Sequence, residues 1–187
     1  LDFNRVDSGN NTLLILSQIE LVSFARGLFT LYAEEKAKEK KLTFHFHADR
    51  EKIYIQMDAI KLESILDNLL SNAVKYTPEE GEITLRLQAS DKEVHISVSD
   101  TGIGVPRQDQ PYVFQRFFQS PKTAGTKEGT GIGLYLVKTY TELHGGKVQL
   151  SSEENKGTAI TLTLPVIAME QPVVEVSPEI VSSDIEP

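Results

Sequence analysis

Two asparagines and a lysine fall on one side of a strongly apolar helical segment, where their side chains could act together. Asn68, Asn72 and Lys75 lie within residues 58–76, and at about 100° per residue they share an arc of about 60°. Asparagine is a poor residue for a helix interior, so two of them one turn apart need an explanation. They form either an ordinary solvated face or a cluster of amide oxygens for a hard cation, with a lysine beside it.

A second candidate follows the alternating segment 94–99. The sequence "SDTGIGVP" places Asp100 at the end of a predicted strand, with Gly102 and Gly104 directly after it. This arrangement is compatible with an ordinary turn. A carboxylate held at a strand end is also a good acceptor for an exocyclic amine, and glycines beside it would let a flat ring approach the backbone.

Glycines mark a third segment, "EGTGIGLYLVK", at residues 128–138. Gly131 and Gly133 stand where a helical pattern begins, and backbone amides at a helix N-terminus favour phosphate. The spacing lacks the third glycine of G-x-G-x-x-G, which would fall on Leu134. Taken alone, the glycines leave a flexible turn and a phosphate site as alternatives.

An aromatic segment and a polar segment precede these glycines. The sequence "YVFQRFFQ" carries Phe114, Phe117 and Phe118, which are most simply interpreted as core anchors of a short helix. The polar, glycine-containing sequence "SPKTAGTKEG" at 120–129 follows. This combination is typical of a hinged lid.

The elements that must position these candidates form a sheet covered by helices. Alternating apolar residues predict strands at about 44–46, 53–55, 83–87, 94–98, 148–150 and 160–164. Alternation indicates one buried and one wet face, as in a mainly antiparallel sheet. Periodicities of three and four predict helices at about 20–41, 58–76 and 131–144. The predicted fold class is therefore α+β, a two-layer α/β sandwich.

The composition describes a globular domain with an acidic end. The chain has 187 residues, a net charge of −8 and no cysteine, which excludes disulfides and thiolate metal sites. The sequence lacks the cluster of lysines and arginines that is typical of nucleic-acid-binding proteins. No apolar run approaches the roughly 18–20 residues that span a bilayer, so we expect no direct membrane contact. Residues 168–187 form an acidic, proline-containing tail or linker, and 1–12 form the end of a preceding element.

In their order and spacing, the candidate segments resemble the ATP-binding domain of sensor histidine kinases. This domain belongs to the superfamily shared with gyrase, the ninety-kilodalton heat-shock chaperones and mismatch-repair ATPases. "NLLSNAVKYTP" is similar to the family's N box, "DTGIG" to its G1 box, "VFQRFF" to its F box and "GTGIGL" to its G2 box. The resemblance covers roughly residues 13–167. It implies a Bergerat-type fold, with about three helices on one face of a mixed sheet, and ATP and Mg²⁺ as cofactors.

The resemblance also implies a role for the residues of the predicted helix. Asn72 would supply an oxygen to Mg²⁺ with Asn68 assisting, and Lys75 would neutralise phosphate charge. Tyr76 would pack near the base or sugar.

For the base, the resemblance implies that Asp100 accepts from the adenine amino group. Thr158 would support that end of the pocket, and Gly102 and Gly104 would border it.

At the phosphates, the resemblance implies backbone amides around Gly129, Gly131, Gly133 and Leu134, beneath a lid of 119–130. Many relatives carry a basic residue where Gln119 stands, so the lid contacts would instead come from Arg116, Lys122 or Lys127.

The resemblance implies a protein-histidine kinase, which transfers the γ-phosphoryl group of ATP to a histidine on a dimerisation domain absent from this chain. Related ATPases carry a water-activating glutamate where Asn68 stands, and an amide cannot act as that base. The four histidines are best interpreted as surface or capping residues: His45, His47, His95 and His144. The alternatives are a self-contained ATPase or serine kinase switch protein, and a nucleotide-binding regulatory module without chemistry.

The expected partners follow from the same resemblance. Residues 1–12 resemble the end of the second dimerisation helix and its connection, and 13–167 would be the catalytic domain. We expect ATP, the histidine-containing dimerisation domain of the same parent and a downstream response-regulator receiver domain as partners. Residues 168–187 could lead to such a receiver domain, as in hybrid kinases. The expected location is the cytoplasmic side of an inner-membrane-anchored sensor kinase.

Overall fold

The computed structural model describes residues 13–120 and 130–166, and this part of the chain contains seven strands and three helices. The strands are β1 (Leu16–Glu20), β2 (Thr43–Ala48), β3 (Tyr54–Asp58), β4 (Glu82–Ala89), β5 (Glu93–Asp100), β6 (Lys147–Glu153) and β7 (Gly157–Pro165). The helices are α1 (Leu21–Lys40), α2 (Ala59–Tyr76) and α3 (Gly133–Leu143). The expectations for residues 1–12, for the centre of the lid and for the acidic tail lie outside the described residues.

Five strands form the central sheet in the order β2-β4-β5-β7-β6. β2 pairs with β4 in parallel, and the other three pairings are antiparallel. The apolar face is largely buried, with Leu85, Ile96 and Leu162 at 0% exposure. Its opposite face is polar, and Ser97 and Thr161 hydrogen-bond across it at 3.0 Å. The predicted α+β sandwich on a mainly antiparallel sheet is confirmed.

Helix α2 carries the apolar stripe that the periodicity predicted. Asp58 caps its first turn by accepting from the backbone N–H groups of Ile60 and Lys61. The helix ends at Tyr76. Thr77 caps it, with its hydroxyl donating to the Ala73 carbonyl, and precedes a proline. Five of its side chains are 0–2% exposed: Leu62, Ile65, Leu66, Leu69 and Leu70.

One predicted strand does not join the central sheet. β3 pairs instead with β1 in a separate two-stranded antiparallel sheet. Glu20 holds the two strands together, because its carboxylate accepts from the Ile53 N–H at 3.1 Å while capping α1 through Val22 and Ser23. On α1 itself, Leu31 follows the three- and four-residue spacing of the apolar residues but is 56% exposed.

The Asp58 carboxylate connects β1, β3 and α2. Asp58 is 4% exposed, and its Oδ2 accepts from the Ile15 N–H at 3.0 Å and from the Lys61 ammonium at 3.2 Å. Burial alone would raise the pKa of this carboxyl. The hydrogen bonds from Ile15 and Lys61, together with the lysine charge, outweigh burial and hold the pKa below its usual value.

The backbone of Asp58 extends the same junction to α3. Its N–H donates to His144 Nε2 at 3.1 Å, and His144 Nδ1 donates to the Tyr140 carbonyl at 2.6 Å. His144 therefore caps the end of α3 as a neutral imidazole, and burial lowers its pKa. This agrees with its prediction as a capping residue.

We predict that Asp58→Ala lowers the free energy of unfolding by about 2–4 kcal/mol, because it removes a helix cap and leaves a half-buried ammonium unpaired. Urea denaturation at pH 7 measures the effect. The control is Asp91→Ala, which replaces an exposed aspartate in a turn. The folded-state pKa of Asp58 is lowered, so its stabilisation is present above about pH 4 and is lost as the pH falls further. A wild-type denaturation midpoint for Asp58→Ala would contradict the prediction.

Candidate active site

A cavity of about 670 Å³ lies beside the apolar face of the sheet. Its wall is built from the second half of α2, the loop after β5, the segment before Ser120, the start of α3 and the β6–β7 hairpin. The predicted site residues that line it are Asn68, Asn72, Lys75, Tyr76, Asp100, Gly104, Gly131, Gly133, Leu134 and Thr158. The fold therefore brings the separate sequence segments to one cavity.

Five predicted site residues do not line the cavity in the described structure. Gly102 is buried beside the lining and donates its N–H to Asp100 Oδ1 at 2.8 Å. Arg116 is exposed, and its guanidinium lies over the Phe117 ring at 4.7 Å. The remaining three lie outside the described residues: Lys122, Lys127 and Gly129.

The polar arc of α2 borders the cavity, but its two asparagines differ in their hydrogen bonds. Asn68 Nδ2 donates to the Ser64 carbonyl at 2.7 Å. Its Oδ1 lies against the first residue of α3, because a Cβ added to Gly133 would lie 2.6 Å from it. Within the described residues, by contrast, no hydrogen bond engages the Asn72 amide. Asn68 is therefore held in place through its amide nitrogen, whereas the whole Asn72 amide is available to a ligand.

Asp100 is the acidic group of the cavity. Burial raises its pKa to about 6, although the backbone N–H groups of Gly102 and Thr158 donate to the carboxylate and partly offset that effect. At pH 7 the carboxylate is still mainly ionised. It is therefore an acceptor inside a largely apolar cavity, where Val98, Leu150 and Ile160 are neighbouring wall residues.

The start of α3 supplies backbone amides. No side chain caps this helix, so the N–H groups of its first turn have no intrahelical partner. Gly131, directly before the helix, has a φ of +69°, and a Cβ there would lie 2.7 Å from the Phe117 carbonyl carbon. The Phe117 N–H also donates to the Gly131 carbonyl at 2.8 Å. This glycine is thus required for a close backbone crossing, and the turn is not merely flexible.

The prediction of a short helix anchored by three phenylalanines is wrong. The regular structure in this region is a single 3₁₀ turn, Gln110–Tyr112. Phe117 is 62% exposed and has a φ of +65°. Phe114 packs partly against the core, and Phe118 lines the cavity. The crossing with Gly131 sets the backbone here and directs the middle phenylalanine to solvent.

The turn between β6 and β7 also belongs to the cavity wall, although its sequence does not indicate this. Glu154 and Asn155 line the cavity there, and the Asn155 N–H donates to the Ile103 carbonyl at 2.7 Å. In the sequence, "EENKG" is an ordinary polar hairpin turn. Its only local signal is the glycine that ends it, which does not indicate a contact with residues about fifty positions away.

The family whose members are described as histidine kinase-, DNA gyrase B- and HSP90-like ATPases matches residues 57–168. The sensor histidine kinase WalK of Bacillus subtilis is 40% identical over 134 residues, which are 70% of this chain and 22% of WalK. The circadian input-output histidine kinase CikA of Synechococcus elongatus is 34% identical, over 92% of this chain and 23% of CikA. The chain thus spans less than a quarter of the length of these curated relatives.

Solved structures of histidine kinases are also similar to this chain. The catalytic domain of histidine kinase ThkA has a TM-score of 0.71 and 27% identity, and the match covers 81% of this chain and 97% of that domain. A structure of ThkA in complex with the response regulator protein TrrA is also similar, with a TM-score of 0.69, 26% identity, and coverage of 83% of this chain and 43% of that ThkA chain. In the described residues, no helix is long and apolar enough to cross a membrane.

We predict that Asp100→Asn stabilises the unliganded chain at pH 8. The folded-state pKa is raised, so the carboxylate reduces stability above about pH 6 and does not below about pH 4. The gain should not exceed about 3 kcal/mol, since one pKa unit corresponds to about 1.4 kcal/mol. Thermal denaturation at pH 8 and pH 4 measures it, and the difference should vanish at pH 4. A variant less stable than wild type at pH 8 would contradict this account.

Proposed function

We propose which reaction this chain catalyses, since it belongs to the histidine kinase-, DNA gyrase B- and HSP90-like ATPase family. Within that family it is an ATP-binding catalytic domain of the sensor histidine kinase type. The cavity binds ATP with Mg²⁺, and the γ-phosphoryl group passes to a histidine of a dimerisation domain outside this chain. The observation that carries the proposal is the single cavity that unites Asp100, the polar arc of α2 and the uncapped start of α3.

Asp100 and its surroundings suit adenine. The ionised carboxylate accepts from the exocyclic amino group, while the apolar wall that includes Val98 and Ile160 covers the faces of the ring. Tyr76 also lines the cavity, with the Lys75 ammonium 4.9 Å from its ring centre. Thr158 lies directly opposite Asp100 in the sheet and supports that end of the site.

Asn72 and Lys75 suit the phosphates and their cation. Across the described residues, no group of three or more His, Cys, Asp or Glu side chains could hold a metal. The Asn72 amide oxygen fits Mg²⁺ because this ion usually takes only one or two protein oxygen ligands and completes its shell with substrate phosphates and water. When bound, Mg²⁺ would offset negative charge on the phosphate oxygens. Lys75 and the amides of Gly133 and Leu134 add positive potential beside it.

Transfer then depends on positioning and charge compensation. A neutral imidazole, with a reference pKa of about 6.5, already has the lone pair that attacks phosphorus. The N–P bond forms as the bond from phosphorus to the leaving ADP oxygen breaks. Asn68 cannot activate water as a base, and its amide nitrogen already donates to Ser64. This favours transfer to a histidine over hydrolysis.

The remaining parts of the proposal concern the parent protein. The chain is the catalytic unit of a longer sensor kinase, with its dimerisation domain before residue 13 and a linker after residue 167. A response-regulator receiver domain is the downstream partner, by analogy with the ThkA complex with a response regulator. The domain acts in the cytoplasm beneath a membrane-anchored sensor, which is consistent with relatives named as sensor kinases.

We predict that Asn72→Ala lowers Mg²⁺-dependent phosphoryl transfer by at least about tenfold while the fold is retained, because the variant loses a metal ligand. Transfer is measured with labelled ATP and the separately expressed dimerisation domain of the parent, and the fold by thermal denaturation. Gln149→Ala, an exposed amide on β6, is the matched control. Unchanged transfer in Asn72→Ala would refute the role.

Calorimetric titration with ATP and Mg²⁺ tests the proposal itself. We expect binding that weakens in Asp100→Asn, because the amide presents a weaker and partly misdirected acceptor. No heat at millimolar nucleotide would refute binding, and no label on the dimerisation domain would refute the kinase assignment. ATP hydrolysis by the chain alone, abolished by Asn72→Ala, would instead favour the self-contained ATPase.

A further inference from the structure

Ser152 on β6 is the centre of a hydrogen-bond cluster behind the cavity wall. Its hydroxyl oxygen accepts from the Val105 N–H at 2.8 Å, and the hydroxyl lies 2.9 Å from the Gly157 carbonyl and 3.0 Å from Thr158 Oγ1. One half-buried hydroxyl thus connects the loop after β5 to the start of β7. Ser152 does not itself line the cavity.

Gln110 holds the same loop from its other side. Its Nε2 donates to the Val105 carbonyl at 2.9 Å and to the Ser152 carbonyl at 3.0 Å. Both backbone groups of Val105 are therefore engaged by side chains, one from Ser152 and one from Gln110. The loop has no freedom to shift its backbone without breaking at least one of these bonds.

The backbone of this loop also packs closely against the backbone of the β6–β7 hairpin. A Cβ on Gly104 would lie 2.1 Å from the Glu153 carbonyl oxygen, and one on Gly157 would lie 1.9 Å from the Asp100 carbonyl oxygen. Both glycines have positive φ values, of +66° and +123°. The loop thus contacts the hairpin backbone at Gly104, and the end of β5 contacts it at Gly157.

The cluster leads to Asp100 through Thr158. Thr158 is the sheet partner of Ser152 on one side and of Asp100 on the other. Its backbone N–H also donates to the Asp100 carboxylate. A displacement of Thr158 or of the loop after β5 would therefore move the carboxylate or its two N–H donors.

We infer that Ser152 is a positioning residue for base recognition, which fixes the loop after β5 and Thr158 so that the Asp100 carboxylate meets the exocyclic amine of adenine. This inference rests on the proposed function, since it deepens how the same cavity selects its nucleotide. Ser152 acts at the base end of the ligand. Its contribution is therefore the same for ATP, ADP and AMP, and it raises selectivity for adenine over guanine, which presents a carbonyl oxygen where adenine has its amine.

The test is calorimetric titration of the full chain with ATP, ADP, AMP and GTP. Ser152→Ala should weaken all three adenine nucleotides by a similar factor of about five to ten, because the hydrogen bonds that hold Val105, Gly157 and Thr158 together are lost and the Asp100 carboxylate is less well positioned. The preference for ATP over GTP should fall by a comparable factor. Ser152→Thr keeps the hydroxyl and should recover most of the affinity. Ser151→Ala, the exposed neighbour on the opposite face of β6, should bind as wild type.

Measuring Ser152→Ala in a second protein, the Asp100→Asn variant, distinguishes a positioning role from general destabilisation. In Asp100→Asn, the additional loss from Ser152→Ala should be much smaller than in wild type, because both changes act on the same contact. Three outcomes would overturn the inference: wild-type affinity in Ser152→Ala, a loss confined to ATP, or an equal loss in both backgrounds. A wild-type chain that binds no nucleotide would instead refute the proposed function, before any variant is compared.

Discussion

The burial of the α2 stripe is the constraint on which the rest of the structure depends. α2 contacts α1, α3 and strands of both sheets, and its four leucines and Ile65 are excluded from water. This burial fixes the rotation of the helix about its axis, because any rotation would expose apolar side chains and bury polar ones. The polar arc of Asn68, Asn72 and Lys75 is then held at the cavity. The site is thus a consequence of core packing.

Close contacts between backbone segments also fix the shape of the cavity. At the α3 end of the cavity, Gly131 crosses the backbone of Phe117, and Gly133 packs against the Asn68 amide. At the other end, Gly104 and Gly157 bring the loop after β5 against the β6–β7 hairpin. These contacts place backbone N–H groups and carbonyls at the cavity with little need for long side chains. The site therefore combines a rigid wall with a small number of polar groups.

Three carboxylates of the structure differ in how burial and hydrogen bonds shift their pKa values. Asp58 and Glu20 are carboxylates whose hydrogen bonds outweigh burial and lower their pKa values, in the case of Glu20 to about 2. Asp100 is the opposite case, because burial dominates and raises its pKa to about 6. The first two hold the β1–β3 sheet and the helix starts together. The third is held in a less favourable environment, which is typical of a group that serves a ligand.

Much of the fold and most of the candidate site could be predicted from the sequence. The alternation of 83–87 and 94–98, the stripe of α2, and the placement of Asn72 on a helix and of Asp100 at a strand end follow from periodicity, which a few neighbouring residues determine. The expectation that these residues share one nucleotide site came from the resemblance to the family. Three features depended on tertiary structure: the pairing of β3 with β1, the exposure of Phe117, and the contact of Ser152 with Val105, 47 residues away. Each depends on which backbone groups, distant in sequence, come into contact once the core is packed. Local sequence patterns do not predict such contacts. The chain by itself determined which side chains could bind a nucleotide, and only the packed fold decided which of them line one cavity and what holds them there.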